Sequence, residues 1–201
     1  MPRRGRRRRK TPVAIALKRA AVAYAGYGWR VLPGARWNGT KYFRPDSGLR
    51  VPGLLPVVPR TEATSRHSQI ERWWTAAPFS VLLAAGCGFA AISVPAELGV
   101  AAARFSVFRD APTPTLVHPE GRILFLIEPI PALRLELRSF RSVFLLKPGA
   151  VFPAPPTTTG VGPVRWWFPP DACPIMLGSS RVVQEALCQA ISAVRWSRAS
   201  T

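Results

Sequence analysis

Hydrophobic positions along this chain form two kinds of pattern: helical spacing near both ends, and short solid runs between. Val13, Leu17, Ala20, Ala21 and Tyr24 recur at intervals of three to four residues, the signature of one helix face. Thr11 stands where an N-cap belongs, Pro12 suits the first helical position, and Gly26 and Gly28 end the element. Val182, Val183, Ala186, Leu187, Ala190, Ile191 and Val194 repeat the pattern inside a helix predicted over Ser179–Trp196. A third helix opens at Ser65 or Ser68, the latter with Glu71 at capping-box spacing, and turns Ile70, Trp73, Trp74 and Ala77 inward. The tryptophan pair has two readings, stacking on bases or packing in a core, and its spacing with Ile70 favours the core.

The solid runs read as strands. Val81–Ala85 and Phe89–Val94, separated by Gly86-Cys87-Gly88, predict two buried strands joined by a tight hairpin. A membrane span is the rival reading, but Phe79–Val94 is only 16 residues long, bounded by prolines and interrupted by two glycines, short of the ~20 a span needs. Trp29–Pro33 reads as another strand. After Pro95 the Ala-rich stretch Ala96–Phe108 predicts a helix stopped by Pro112 and Pro114. Leu133–Leu137 and Val143–Leu146 also read as strands. Gly34–Arg60, rich in Gly, Pro and Arg, predicts a long loop. No internal repeat interrupts a reading of one domain over residues 11–196, with tails at 1–10 and 197–201.

Charge changes this picture. The chain of 201 residues has 28 Lys+Arg against 10 Asp+Glu, a net +18. Seven of those cations lie in the first ten residues, an arginine-rich tail expected to be disordered, and the rest still carries +11. A basic body favours a polyanionic partner such as nucleic acid; the plainer reading is that the charge only prevents self-association. Within Gly34–Arg60, the cations Arg36, Lys41, Arg44, Arg50 and Arg60 are interspersed with Trp37, Tyr42 and Phe43. That mixture suits single-stranded nucleic acid, where rings stack on bases and cations track phosphates. It equally suits a loop pinned to the body by its aromatics. Arg122 and Arg165 complete the candidate nucleic-acid-binding residues.

Cys87, Cys173 and Cys188 are odd in number and scattered, and His67 and His118 lie far from one another. Neither a disulfide framework nor a metal site is indicated, and a cytoplasmic protein is expected. Lys18-Arg19 cut the apolar run after the tail to five residues, too short for a signal-peptide core of ~7–15.

Several segments together resemble the N-terminal domain of bifunctional DNA primase/polymerases, the prim-pol domain. These are Ile70-Glu71-Arg72-Trp73-Trp74; Val81-Leu82-Leu83 followed by Gly86-Cys87-Gly88 and Ala91-Ile92-Ser93-Val94-Pro95; Gly121-Arg122-Ile123-Leu124-Phe125; and Gly149–Thr157 with its Ala-Pro-Pro-Thr, followed by Gly160 and Val164-Arg165-Trp166. The resemblance runs over about residues 13–168. It implies an α+β fold with an antiparallel-rich, RRM-like sheet flanked by helices, and a strand, turn and strand over Thr115–Leu126 with Arg122 and Phe125 in register. It also implies metal-dependent nucleotidyl transfer by an Asp-x-Asp pair and a histidine. Ser93 and Pro95 stand at the two aspartate positions, Ile123 at the histidine position, and Ser142 where some relatives place a further acid.

Two-metal chemistry needs carboxylates on one strand face to hold Mg²⁺ or Mn²⁺ between attacking and leaving oxygens. A hydroxyl and a proline supply neither charge nor ligand. No other pair among the ten acids has the i, i+2 spacing, although Glu97 keeps the parity of Ser93 and Pro95. P-loop, nucleophile-elbow and H-E-x-x-H motifs are absent. The reading is therefore a degenerate primase/polymerase-like domain that binds nucleic acid or nucleotide in a replication-related setting, with vestigial Ser93, Pro95 and Ile123, no metal ligands and no cofactor. The alternatives are an active primase/polymerase using Mg or Mn with Glu97 or a partner's carboxylates, or a basic scaffold whose surface meets protein or an anionic membrane. A membrane partner is not expected, and no protein partner is indicated.

Overall fold

The computed structural model describes residues 11–86 and 88–199, with side chains up to Ala193. The expected tail at 1–10 lies outside the described residues, and Cys87 does too. Among the described residues the fold is α+β, with helices and three antiparallel sheets.

Helix α1, Pro12–Gly26, begins as its cap predicts: the Thr11 hydroxyl accepts from the Ala14 N–H at 3.4 Å. Leu17, Ala21, Tyr24 and Ala25 are buried, whereas Val13, expected inward, is 49 % exposed because it lies in the first turn, beyond the core's edge. Strand β1 (Arg30–Gly34) pairs with β5 (Ser80–Ala84), which pairs on its other edge with β10 (Val151–Pro153). Between β1 and β5 the chain forms a ribbon, then helix α2, His67–Ala76. Neither Ser65 nor Ser68 caps α2. Its N-cap is Arg66, whose own N–H is taken by the Thr64 hydroxyl, so the start is set by the turn before it. Ile70 and Trp74 are buried in the core and Trp73 is half-buried.

The expected hairpin at Gly86–Gly88 is corrected by the sheet pairing. Strand β6, Ala90–Pro95, does not pair with β5; it pairs with β8 (Arg122–Ile127) and β9 (Phe144–Leu146) in a different sheet. The glycines make a corner instead: Gly86 and Gly88 adopt φ of 145° and 106°, and the Gly86 N–H bonds the Phe89 carbonyl at 2.9 Å. The chain thereby leaves the β1–β5–β10 sheet and enters a five-stranded sheet, ordered β11 (Arg165–Phe168), β7 (Thr115–His118), β8, β6, β9.

The two faces of this larger sheet belong to different cores. Ala91, Leu116, Leu124 and Leu126 meet α1, α2 and the β1–β5–β10 sheet. Ala90, Ile92, Val94, Ile123, Phe125 and Ile127 meet the C-terminal helix α6, Ser180–Ala199, through Val183, Ala186, Leu187, Ala190 and Ile191. Both faces of β6 are thus covered, and apart from Ser93 its residues are apolar, as expected of a strand packed on two sides.

Three further expectations are revised. The helix predicted over Ala96–Phe108 is two pieces, α3 (Ala96–Ala102) and α4 (Ser106–Arg109), with Ala103–Phe105 turning so that Phe108 reaches the core. Leu133–Leu137 is no strand; α5 spans Leu135–Arg138. Leu133 and Leu137 are buried while Leu135 is 74 % exposed, which period-2 geometry would forbid. Gly34–Arg60 is no structureless loop but carries β2 (Arg36–Trp37), β3 (Tyr42–Phe43) and β4 (Arg50–Val51) in an antiparallel ribbon. No helix among the described residues is long and apolar enough to cross a membrane, and Phe79–Val94 lies largely in β5 and β6.

Candidate nucleic-acid interface

One end of the five-stranded sheet is polar on a face that is otherwise core. Ser93 and Pro95 follow Ala91 along β6 on that face, and register places Pro95 opposite Arg122 and Ser93 opposite Leu124. Ser93 also faces Phe144 of β9. The Ser93 side chain is 5 % exposed, and its hydroxyl accepts from Arg122 Nε at 2.8 Å. A second guanidinium nitrogen of Arg122 donates to the Ser142 carbonyl at 2.9 Å, and the group lies 5.1 Å from the centroid of the Phe144 ring. Ser93 and Ser142 are therefore joined by one arginine. Burial lowers the pKa of Arg122 from its ordinary value, yet a guanidinium remains charged.

Ile123 does not join this group. It stands opposite Val94, on the other face of the sheet, 1 % exposed and packed against α3 at Gly99, where an added Cβ would come within 2.8 Å of it. Arg122 is the polar β8 residue on the Ser93 face, beyond Leu124 and Leu126. Glu97 is exposed in the first turn of α3, because β6 ends at Pro95 and the chain turns into the helix.

The structure adds His118, which sequence reasoning set aside. Register pairs it with Arg122 across a three-residue turn, Pro119-Glu120-Gly121, closed by Gly121 at φ 74°. His118 thus shares the Arg122 face. Its Nδ1 accepts from the Glu120 N–H at 3.4 Å, which leaves the proton of the neutral ring on Nε2. Burial lowers its pKa; Glu120 opposes that and Arg122 adds to it. The hairpin itself carried the signal, since residues flanking a three-residue turn pair and point to one face.

A loop at Gly160–Gly162 links the ribbon to the His118–Arg122 turn. Gly160 packs against the Trp37 ring and gives its N–H to the Tyr42 hydroxyl at 2.7 Å, while Gly162 lies against Pro119 of the His118–Arg122 turn. The Ala-Pro-Pro-Thr segment positions that loop: the buried Thr157 hydroxyl accepts from the Val81 N–H at 2.9 Å and donates to its carbonyl at 3.0 Å, fixing the segment to β5. Of the ribbon's cations, Arg44 is committed to Asp46 through two bonds, of 3.2 and 2.9 Å. Arg36, Lys41 and Arg50 make no side-chain hydrogen bond or ion pair among the described residues, and Lys41 and Arg50 are exposed. Arg60 reaches the Gly149 carbonyl at 3.5 Å, and Arg165 is exposed on the edge strand β11.

A divalent cation does not fit the donors at Ser93. Hard cations require several oxygens, charged ones among them, and here the nearest hydroxyl already receives a guanidinium. Among the described residues no group of three His, Cys, Asp or Glu is placed to hold a metal.

A comparison with curated proteins gives no match. The family model described as bifunctional DNA primase/polymerase, N-terminal, matches residues 21–176, from within α1 to just before α6. The match spans the corner, the polar sheet end, the Pro-Pro-Thr segment and the ribbon, and by it the chain belongs to the prim-pol family.

Proposed function

We propose that this chain is a prim-pol domain, folded over residues 11–196 between two basic tails, that binds nucleic acid or nucleotide in a replication-related setting without metal-dependent nucleotidyl transfer. The observation that carries this reading is the Arg122 guanidinium held by the Ser93 hydroxyl and the Ser142 carbonyl. The family resemblance sets acidic ligands at Ser93, Pro95 and, in some relatives, Ser142. A fixed cation at that spot repels a metal ion and attracts a phosphate. Its charge is permanent, so binding there requires neither Mg²⁺ nor Mn²⁺. A net +11 outside the first ten residues extends the attraction over the body.

Two measurements on the full chain test this. Primer extension with Mg²⁺ or Mn²⁺ should give no product, since loss of several kcal/mol of metal stabilisation at about tenfold per 1.4 kcal/mol removes detectable turnover. Binding of single-stranded oligonucleotides should be the same in a chelator as in Mg²⁺ at matched ionic strength, and should weaken steeply as salt rises. Extension by the wild-type protein, or binding that needs the metal, overturns the reading.

A further inference from the structure

We propose that the cleft on the ribbon, between Lys41 and Arg50, receives an unpaired base of a single-stranded nucleic acid together with its flanking phosphates. This rests on the nucleic-acid reading above and adds to it a second, separate place of contact.

The cleft has a volume of about 540 Å³ and is lined by Trp37, Thr40, Lys41, Tyr42, Arg50, Val51 and Pro52. The two rings in its lining are held before any ligand arrives. Trp37 and Tyr42 are cross-strand partners with ring centroids 4.9 Å apart, and the Gly160 N–H on the Tyr42 hydroxyl anchors them to the body. The turn that carries Lys41 is also fixed: Asn38 Oδ1 accepts from the Thr40 N–H, the Thr40 hydroxyl and the Lys41 N–H, each at 3.0 Å. Lys41 and Arg50 are exposed and unpaired among the described residues, while the neighbouring Arg44 is neutralised by Asp46. Two uncompensated cations and two rings thus line one cavity. Rings for a base, with cations for phosphates, is the pairing of features that single strands require. An acidic peptide would use the cations and leave the rings idle.

Fluorescence anisotropy with labelled oligo-dT tests the proposal, with oligo-U as a second arm and an abasic phosphodiester of equal length and charge as a third. One stacked base should make oligo-dT bind roughly 5- to 100-fold more tightly than the abasic strand. Lys41→Gln/Arg50→Gln should lower the slope of log K against log salt by about 1.4, two cations at ~0.7 each for a single strand. Both side chains are exposed, and an unchanged melting temperature verifies the fold. The oligo-U arm shows whether ribose is accepted, and tighter binding of either strand than of the abasic one supports the proposal. Equal affinity for the abasic strand removes the base from the cleft, and an unchanged slope in the double variant places the strand elsewhere; either overturns this proposal while leaving the function above intact. Failure of the wild type to bind at low salt overturns both.

Discussion

Arginine is used in opposite ways on the five-stranded sheet and on the ribbon. On the five-stranded sheet Arg122 is bonded down, with one nitrogen on a buried hydroxyl, another on a carbonyl, and an aromatic ring beside it. On the ribbon Arg50 and Lys41 are exposed and uncommitted. A bonded guanidinium has already given up its rotamer freedom, so it presents a charge at one point and discriminates by geometry. A free one samples many positions and tracks a flexible polyanion with little regard for sequence. The first arrangement suits a fixed oxyanion, the second a backbone.

The largest effect is expected where this contrast meets the metal question. Introducing acids with Ser93→Asp/Pro95→Asp should not produce a metal site, because the new carboxylate at position 93 would pair with Arg122 at charge-assisted hydrogen-bond distance. Adding Arg122→Met frees both carboxylates on one strand face, and Mn²⁺ affinity should then rise from undetectable to readily measurable by calorimetry. If the double variant already binds Mn²⁺ with Arg122 in place, the arginine does not guard the position.

Stability comes next. Arg122→Met strands the buried Ser93 hydroxyl, at a cost of about 1–3 kcal/mol; Arg50→Gln on the ribbon should stay within about 0.5 kcal/mol, as for an exposed side chain without partners. Urea melts of both decide it. Ser93→Ala in the Arg122→Met background should restore part of the loss, because the orphaned group is gone. Additive losses from the two substitutions would mean that the hydroxyl and the guanidinium do not depend on one another.

Much of this architecture was legible before any coordinates. α1 with its Thr11 cap and α6 follow from spacing and turn residues, and β7 and β8 from the segment that resembles the prim-pol family. The corner at Gly86–Gly88 was not, and the reason is physical. Strands β5 and β6 are buried on both faces, so neither has the alternation that would show whether they share a sheet, and a glycine pair permits a corner as readily as a hairpin. The ribbon escaped because its strands are two residues each, below the length at which any period can be read. At the polar sheet end, Ser93, Pro95 and Arg122 were all visible as residues of interest. Their meeting depends on the pairing of β6 with β8, and that register also turns Ile123 to the opposite face. Local sequence holds no record of which residue of one strand lies opposite which residue of another.

The smallest effect concerns His118, the neighbour of Arg122. Burial lowers its folded pKa below the ordinary value of 6.5, with Arg122 adding to the shift and Glu120 opposing it. The unfolded chain therefore binds this proton more readily than the native one, and stability falls as the pH drops. The contribution is complete above about pH 6.5 and is lost progressively below it, until the folded histidine also protonates. His118→Gln keeps a polar group at the position and removes the titration. The wild type should lose more melting temperature than this variant between pH 7 and pH 5, while the two run parallel above pH 7. In the Arg122→Met background, adding His118→Gln should change the pH dependence less than it does in the wild type, since one source of the depressed pKa has been removed. Equal pH dependence in wild type and His118→Gln would show that the ring is not held neutral beside the arginine, and His118 would then have no electrostatic coupling to the fixed cation.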